Sequence, residues 1–491
     1  MSNAWTTSAG SGPELLLGVQ RPARAQLEGT LRDAVRDGRL APGDRLPSSR
    51  ALAADLGVAR GVVVEAYTQL VAEGWLDARQ GSGTRVAAPG PPRRRDSQDR
   101  ALADGARPPI GPAPPRYDFM PGRPDLSAFP RSAWVGALRR VLATLPAARL
   151  GYTEPGGDPA LRAALAAYLG RVRGVSADPE LVVVTSGYGQ ALALLSRVLR
   201  DRGVTSIAFE DPLNPDPVRV AAHAGLRTVG VPVDAAGIDV GALAASPAGA
   251  VVVTSAHQFP TGVVLAPERR AALLAWAARV PGRGGVILED DYDAEYRYDR
   301  EPVGAMQALD PDLVAYAGSA SKTLAPGLRL GWLVAPRRLR DAVVEAKQLA
   351  DHGSSVLDQL VLAELLGSGA YDRHLRRTRR AYRARRDLLV GTLAVRAPGI
   401  RVRGVAAGLH VVIELPEGSD EQAVAAAARE RGVGVYPLGR YRTGSAAVFP
   451  PALVAGYGAM PPADVRAGAE LLGDVLAGSP SLSTIGRKRP A

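Results

Sequence analysis

The chain reads as an α/β protein: a mainly parallel sheet with helices on both faces and a small C-terminal subdomain, preceded by a compact helical head. Three observations predict this. Short apolar runs, Leu181–Thr185, Ile207–Phe209, Val251–Val253, Val286–Leu288 and Leu313–Ala317, alternate with stretches of helical periodicity, the pattern of strands buried on both faces. Each run opens into polar residues, which is how an open parallel sheet builds a ligand site at its C-terminal edge. Residues 20–86 instead carry helices and a Gly-rich hairpin.

Composition narrows the class. At 491 residues the chain has room for two or three domains with a sizeable core. A hydrophobic fraction of 46% and a charged fraction of 22% fit a globular protein. Cysteine is absent, which excludes disulfides, thiolate nucleophiles and cysteine-ligated metals, and five scattered histidines do not suggest a metal centre. No apolar stretch reaches spanning length and no leader with a charged start and apolar core is present, so a cytoplasmic protein without a membrane partner is expected. The net charge of +11 is uneven. Residues 1–86 hold ten arginines against nine acids, so the excess lies in segment 87–116, in Tyr371–Val390 with its eight arginines, and in the Arg487-Lys488-Arg489 tail.

After a leader over residues 1–19, expected to be disordered, Leu27, Leu31, Ala34 and Val35 keep helical spacing between Arg21 and Asp37. A turn-rich connection, Leu40 to Pro47, leads to Ser48 and Ser49, both good caps for a short helix through Leu56. Gly57 breaks it, and a further helix runs from about Ala59 to Glu73. Two short strands then flank the Gly-rich tip Gln80–Gly83. Two helices across a tight turn followed by a hairpin make a winged helix-turn-helix over residues 20–86.

The stretch PGDRLPSSRALAADLGVARGVVVEAYTQLVAEGWLDARQGSGTRVA resembles the GntR-type DNA-binding domain along its whole length. The resemblance implies double-stranded DNA as partner, with Ser49, Arg50, Arg60 and Gly61 at helix N-termini facing it and Gly83 letting the wing approach the minor groove. Arginine suits such places because its planar fork pairs with guanine edges or phosphate. Ala59 and Val62 stand where that family usually has Ser and Thr, so a capping hydroxyl is lost and DNA binding is expected to be re-tuned. The alternative is a small dimerisation module that no longer binds DNA.

Residues 87–116, rich in Pro, Arg and Gly, form a linker that cannot bury a core. The α/β body spans 117–480 and a basic tail 481–491. Leu181–Thr185 leads into Ser186, Gly187, Tyr188, Gly189 and Gln190 and then the helix Ala191–Arg200. A strand, a glycine turn and a helix start together make a phosphate cradle. Beyond Pro336, helices at Asp341–Ala350 and Tyr371–Val390 and a strand at Leu409–Leu415 outline the small subdomain.

The chemistry concentrates in Val286–Trp332. One apolar run ends in Glu289, Asp290, Asp291 and Tyr292; the next opens into Ser319, Ala320, Ser321 and Lys322, with Arg329 beyond. The chain has only three lysines, Lys322, Lys347 and Lys488. Arginine cannot form an imine, whereas lysine with a depressed pKa can, so a lysine retained between small hydroxyl residues points to an aldehyde.

The segments ILEDDYDAEYRYD, GSASKTLAPGLRLGW and TSAHQFPTG resemble fold-type I aminotransferases, and the likeness spans Tyr117–Ala477. With pyridoxal 5'-phosphate as the aldehyde each residue type has a reason. Lys322 forms the imine, Asp290 pairs with the protonated ring nitrogen, and Tyr292 with His257 or Gln258 faces the ring oxygen. Ser319, Ser321, Arg329 and the Gly187–Gln190 helix start hold the phosphate. The bland alternative is a sheet edge with a surface lysine and ordinary capping acids.

A GntR-like head on an aminotransferase-like body resembles the MocR/GabR subfamily of bacterial regulators, which implies a head-to-tail homodimer. Departures from aminotransferases separate regulator from enzyme. Asn214 stands where an aromatic usually stacks on the cofactor, Phe259 replaces the asparagine before Pro-Thr-Gly, and Leu453, Val454 and Ala455 occupy the place of the arginine that clamps a substrate carboxylate. The expectation is a regulator that senses pyridoxal phosphate, an amine or an amino acid, without efficient turnover. The rivals are an active aminotransferase with a vestigial head and a passive DNA-binding dimer without cofactor. Tyr371–Val390 is either a solvated helix or a second DNA-contacting surface.

Overall fold

The computed structural model describes residues 22–79, 83–87, 114–282, 284–293, 295–298, 303–444 and 449–478, and the backbone of two short pairs. Those pairs, Trp5–Thr6 and Leu15–Leu16, form an antiparallel bridge inside the expected leader. The rest of that leader, the wing tip Gln80–Ser82, most of the linker and the basic tail lie outside the described residues. The chain divides into two compact units, residues 1–111 and 112–491.

The first unit contains α1 (Arg24–Arg36), α2 (Ser49–Leu56), α3 (Arg60–Ala72), β1 (Leu76–Arg79) and β2 (Gly83–Val86). Leu27 and Leu31 of α1, Leu52 and Leu56 of α2, and Val63, Ala66 and Leu70 of α3 meet in one core with Leu76 and Val86 of the hairpin. The strands are antiparallel, with Leu76 opposite Val86 and Arg79 opposite Gly83. Between the two cap candidates the structure chooses Ser48, whose side chain accepts from the Ala51 N–H, and Gly57 closes α2 in the left-handed region at φ 64°.

Helix α3 starts on Ala59 with no side-chain cap. Ala59→Ser is therefore expected to stabilise the head by about 1 kcal/mol, seen as a rise in its thermal unfolding midpoint.

The principal elements of the second unit are, in chain order, α4 (Pro159–Arg173), β3 (Val182–Thr185), α5 (Tyr188–Asp201), β4 (Ser206–Asp211), β5 (Arg227–Asp234), β6 (Gly237–Ile238), β7 (Ala250–Val253), α6 (Pro267–Arg279), β8 (Val286–Asp291), β9 (Val314–Ser319), β10 (Gly331–Val334), α7 (Arg337–Asp351), α8 (Ala370–Arg396), β11 (Arg401–Arg403), β12 (His410–Glu414), β13 (Tyr436–Pro437), β14 (Ala452–Gly456) and α9 (Pro462–Ala477). The large sheet has the order β3-β10-β9-β8-β7-β4-β5-β6. Strands β9, β8, β7, β4 and β5 are mutually parallel, while β10 runs antiparallel between β9 and β3.

The continuous apolar runs are explained by burial on both faces. Val183, Phe209, Val252, Leu288, Ala317 and Leu333 pack under α5 and α7. Their sequence neighbours point the other way: Val251, Ile287 and Val314 meet α6, and Val182, Val184, Tyr316 and Trp332 meet α4, α8 and α9. The small subdomain carries its own sheet, β11-β12-β14-β13.

Helix α8 contains the arginine-rich stretch, and its arginines do different work. Arg385 is buried and donates to Asp125 at 2.6 Å and to the Gly458 carbonyl at 2.7 Å. Arg379 donates to the Glu295 carbonyl. Arg373, Arg376, Arg377, Arg380 and Arg383 are exposed.

Candidate functional site

The C-terminal ends of the parallel strands open into a cavity of about 330 Å³. Strand alternation sorts the three consecutive acids of β8. Glu289 turns away and is fully satisfied, accepting from the Met306 and Gln307 N–H groups and from the Ser255 hydroxyl. Asp291 also turns away, accepting from Arg173 at 2.7 Å and from the Tyr316 hydroxyl at 2.6 Å. Asp290 alone lines the cavity, with no hydrogen-bond partner among the described residues.

Lys322, half-buried on the turn after β9, donates from Nζ to the Gly122 carbonyl at 2.6 Å. Burial lowers its pKa, against the pull of Asp293 and Asp290, which is the direction an imine-forming lysine needs. Tyr292 lines the cavity and its hydroxyl donates to the His257 carbonyl at 3.1 Å.

One end of the cavity is built for an anion. Helix α5 starts at Gly187 without a side-chain cap, so the first-turn N–H groups of Tyr188 and Gly189 have no intrahelical acceptor. Gly187 has φ 116°, and a Cβ there would sit 3.4 Å from both terminal nitrogens of Arg329. Arg329 itself holds a left-handed backbone, φ 52°, a conformation that costs a non-glycine residue about 1–3 kcal/mol and concentrates at functional sites. Across the sheet Gly331 is needed for close approach, since a Cβ would fall 2.6 Å from the Gly187 Cα. Ser319 and Ser321 line the same cavity.

The carboxyls of the floor are shifted. Burial, with Asp291 and Asp293 nearby, pushes Asp290 up to about 8. Burial likewise pushes Glu210, a lining residue not anticipated from sequence, up to about 8. A carboxyl whose folded pKa lies above its unfolded value contributes stability that is full below the unfolded value and is lost as the pH rises through the folded one. In the ligand-free chain the thermal midpoint of Asp290→Asn relative to wild type is therefore expected to climb steadily between pH 5 and pH 8. A flat difference across that range contradicts the burial of an unpaired Asp290.

Of the residues expected to hold a cofactor, Tyr188, Gly189, Asp290, Tyr292, Ser319, Ser321, Lys322 and Arg329 line one cavity, and Gly187 sits under Arg329. Two expectations need correction. Gln190 does not face the cavity: its amide accepts from the Ser186 N–H at 2.7 Å and donates to Asp351, beside the buried Lys347. His257 does not face it either, being 2% exposed with Nδ1 3.0 Å from Asp293 and its ring stacked near His410. Gln258 is also turned inward, bonded to Pro212 and Thr261. Phe259 takes the wall instead. His257 and Asp293 thus support Tyr292 from behind. The Tyr188 hydroxyl is buried without a hydrogen-bond partner among the described residues. Gly122 was missed because its contact with Lys322 spans 200 residues of chain.

In the head, Arg50 is exposed in the first turn of α2, and Arg60 and Gly61 are exposed at the start of α3. Arg60 Nε reaches the Ser49 hydroxyl at 3.4 Å, so four of the five expected DNA-facing residues share one corner. Gly83, with φ 83°, lies against the Arg45 guanidinium, where a Cβ would be 3.1 Å from Nε. Arg45 was not singled out from sequence. Glu65 of α3 pairs with Arg24 at 3.3 Å, and Glu73, just past its C-terminal end, with Arg32 at 2.7 Å.

Comparison with known proteins accounts for both halves. Residues 23–86 match the bacterial regulatory proteins of the gntR family, and residues 124–452 match aminotransferase class I and II. The chain is 35% identical over 462 residues to the probable rhizopine catabolism regulatory protein MocR of Rhizobium meliloti, covering 91% of this chain and 92% of that one. It is 34% identical to the HTH-type pyridoxine biosynthesis transcriptional regulator PdxR of Corynebacterium glutamicum, covering 86% and 89% respectively. The crystal structure of an archaeal alanine:glyoxylate aminotransferase superposes with a TM-score of 0.65 at 28% identity, covering 73% of this chain and 90% of that one. The aminotransferase class I and II fold depends in general on pyridoxal phosphate, and a gntR-type head implies DNA binding. With both halves matched in one order and nearly the whole length aligned to such regulators, the chain belongs to the MocR/GabR-type regulators.

Proposed function

We propose that this chain is a transcriptional regulator that binds pyridoxal 5'-phosphate in its aminotransferase-like body and DNA through its head. One observation carries the reading: Lys322, the unpaired Asp290 and the Arg329–α5 anion site converge on one cavity, in a chain whose head presents Arg50 and Arg60. The residues fit the group. Pyridoxal phosphate supplies an aldehyde, a basic ring nitrogen and a dianion. Lys322 holds the aldehyde carbon, Asp290 gains the cation it lacks, Tyr292 meets the ring oxygen, and Arg329, Ser319, Ser321 and the α5 start hold the phosphate.

Sensing is favoured over turnover because the cavity lacks the carboxylate clamp of an aminotransferase. Strand β14 is buried along its whole length and Leu453, Val454 and Ala455 are 0% exposed, so no side chain of β14 lines the cavity. The ligand that changes DNA binding is the cofactor itself, or an amine or amino acid that condenses with it. No described helix is long and apolar enough to cross a membrane, which agrees with action in the cytoplasm. A second copy of the chain is the expected cover for the helix Arg131–Thr144, which buries only Ala137 and leaves Val135 and Leu142 exposed. That supports a homodimer, in the head-to-tail arrangement implied by the subfamily.

The test is fluorescence anisotropy with labelled DNA from the gene's own upstream region, with and without pyridoxal phosphate. Affinity or stoichiometry is expected to change when the cofactor is added. Absence of DNA binding, or rapid multiple turnover of an amino acid with a keto acid, overturns the reading.

A further inference from the structure

We infer that the ligand half of the Lys322 cavity selects primary amines without a carboxylate over the matching α-amino acids; this rests on the cofactor reading above. Besides the groups assigned to the cofactor, the lining includes Pro121, Leu213, Asn214, Pro217 and Phe259, apolar except for Asn214. The cavity is lined by two cationic residues, Lys322 and Arg329. Arg329 is committed to the anion end by its approach to Gly187, and Lys322 is the group that an incoming amine displaces. Two carboxyls, Asp290 and Glu210, also line the cavity.

With Asp290 committed to the ring nitrogen, an α-carboxylate entering here meets Glu210 and apolar walls, and among the described residues no arginine is left to pair with it. Burying an unpaired carboxylate is costly, whereas an uncharged tail fits apolar walls at no such cost. Asn214 is an exposed lining residue whose side chain accepts from the Asp216 N–H at 3.3 Å as the cap of the following helix. In the exchange the nitrogen of the amine bonds to the carbon held by Lys322, the bond from that carbon to Nζ breaks, and the two hydrogens of the amine end on Nζ. Reactivity alone does not give this order of preference. The α-amino group of an amino acid loses its proton more readily than that of a simple amine, so chemistry by itself favours the amino acid.

The experiment titrates the full chain, loaded with pyridoxal phosphate, with 2-phenylethylamine and separately with L-phenylalanine at one pH, reading the shift of the visible absorption band. Half-saturation by the amine is expected at a concentration at least about tenfold lower. Asn214→Arg, which places a cation in the lining, is expected to bring the ratio to about one. Equal or tighter response to phenylalanine in the wild type overturns the inference, as does an unchanged ratio in Asn214→Arg. Failure to develop any visible band overturns the cofactor reading with it, so the two failures are told apart.

Discussion

Replacing Lys322 with alanine is expected to abolish the borohydride-stable mass adduct and the visible absorption band that pyridoxal phosphate, bound as proposed, would give on the wild-type chain. The loss should be complete because, among the described residues, no other lysine is placed to substitute. Lys347 is 0% exposed and paired with Asp351 at 2.9 Å on α7, and Lys488 lies in the tail outside the described residues. Lys322→Arg should fail equally, since a guanidinium stays charged and cannot condense with an aldehyde. The residues proposed to hold the phosphate and ring are unchanged in both variants, so weak, reversible binding is expected to survive, reduced on the order of a hundredfold, or about 3 kcal/mol. Equilibrium dialysis measures that residue of affinity, and an adduct mapped by mass spectrometry to any other side chain sinks the assignment.

The second large effect is expected in the head. Arg60→Ala should weaken specific DNA binding by roughly 5- to 150-fold and relax the preference at one base position. The reason is geometric: Arg60 is the first residue of α3, exposed and steadied by the Ser49 hydroxyl, where a recognition helix meets base edges. Binding to the selected site and to a scrambled duplex, across a salt series, separates base reading from phosphate attraction. Charge reversal at Arg376 and Arg380, exposed on α8, serves as the comparison and is expected to leave the salt slope unchanged. A shallower slope after that reversal makes α8 a DNA contact and rejects its reading as a solvated helix.

Much of this site was legible because the polar residues sit at the ends of apolar runs. The ends of β8 and β9, the start of α5 and Arg329 were named from the sequence, and eight of those residues line one cavity. The errors have two causes. Gln190 lies one residue past the cavity position Gly189, and one step turns a side chain through more than a quarter of a revolution on a helix, whereas His257 sits in a bend between the cavity residues Thr254 and Phe259, where no regular period orients it. Gln190 therefore faces Asp351, and His257 faces Asp293. Between Ser48 and Ser49 the ambiguity was likewise of one residue, and backbone geometry settled it.

The sequence by itself determined the two-part organisation, the head's fold, the strand-helix alternation of the body and the choice of a lysine among arginines. These follow from local periodicity and residue chemistry, which need no long-range partner. Tertiary structure alone decided which of three consecutive acids faces the cavity, that Glu210 joins Asp290 there, and that the Gly122 carbonyl accepts the hydrogen bond from Lys322. Each of those depends on how strands far apart in the chain register against one another, and a register is set by the packing of the whole sheet rather than by any segment within it.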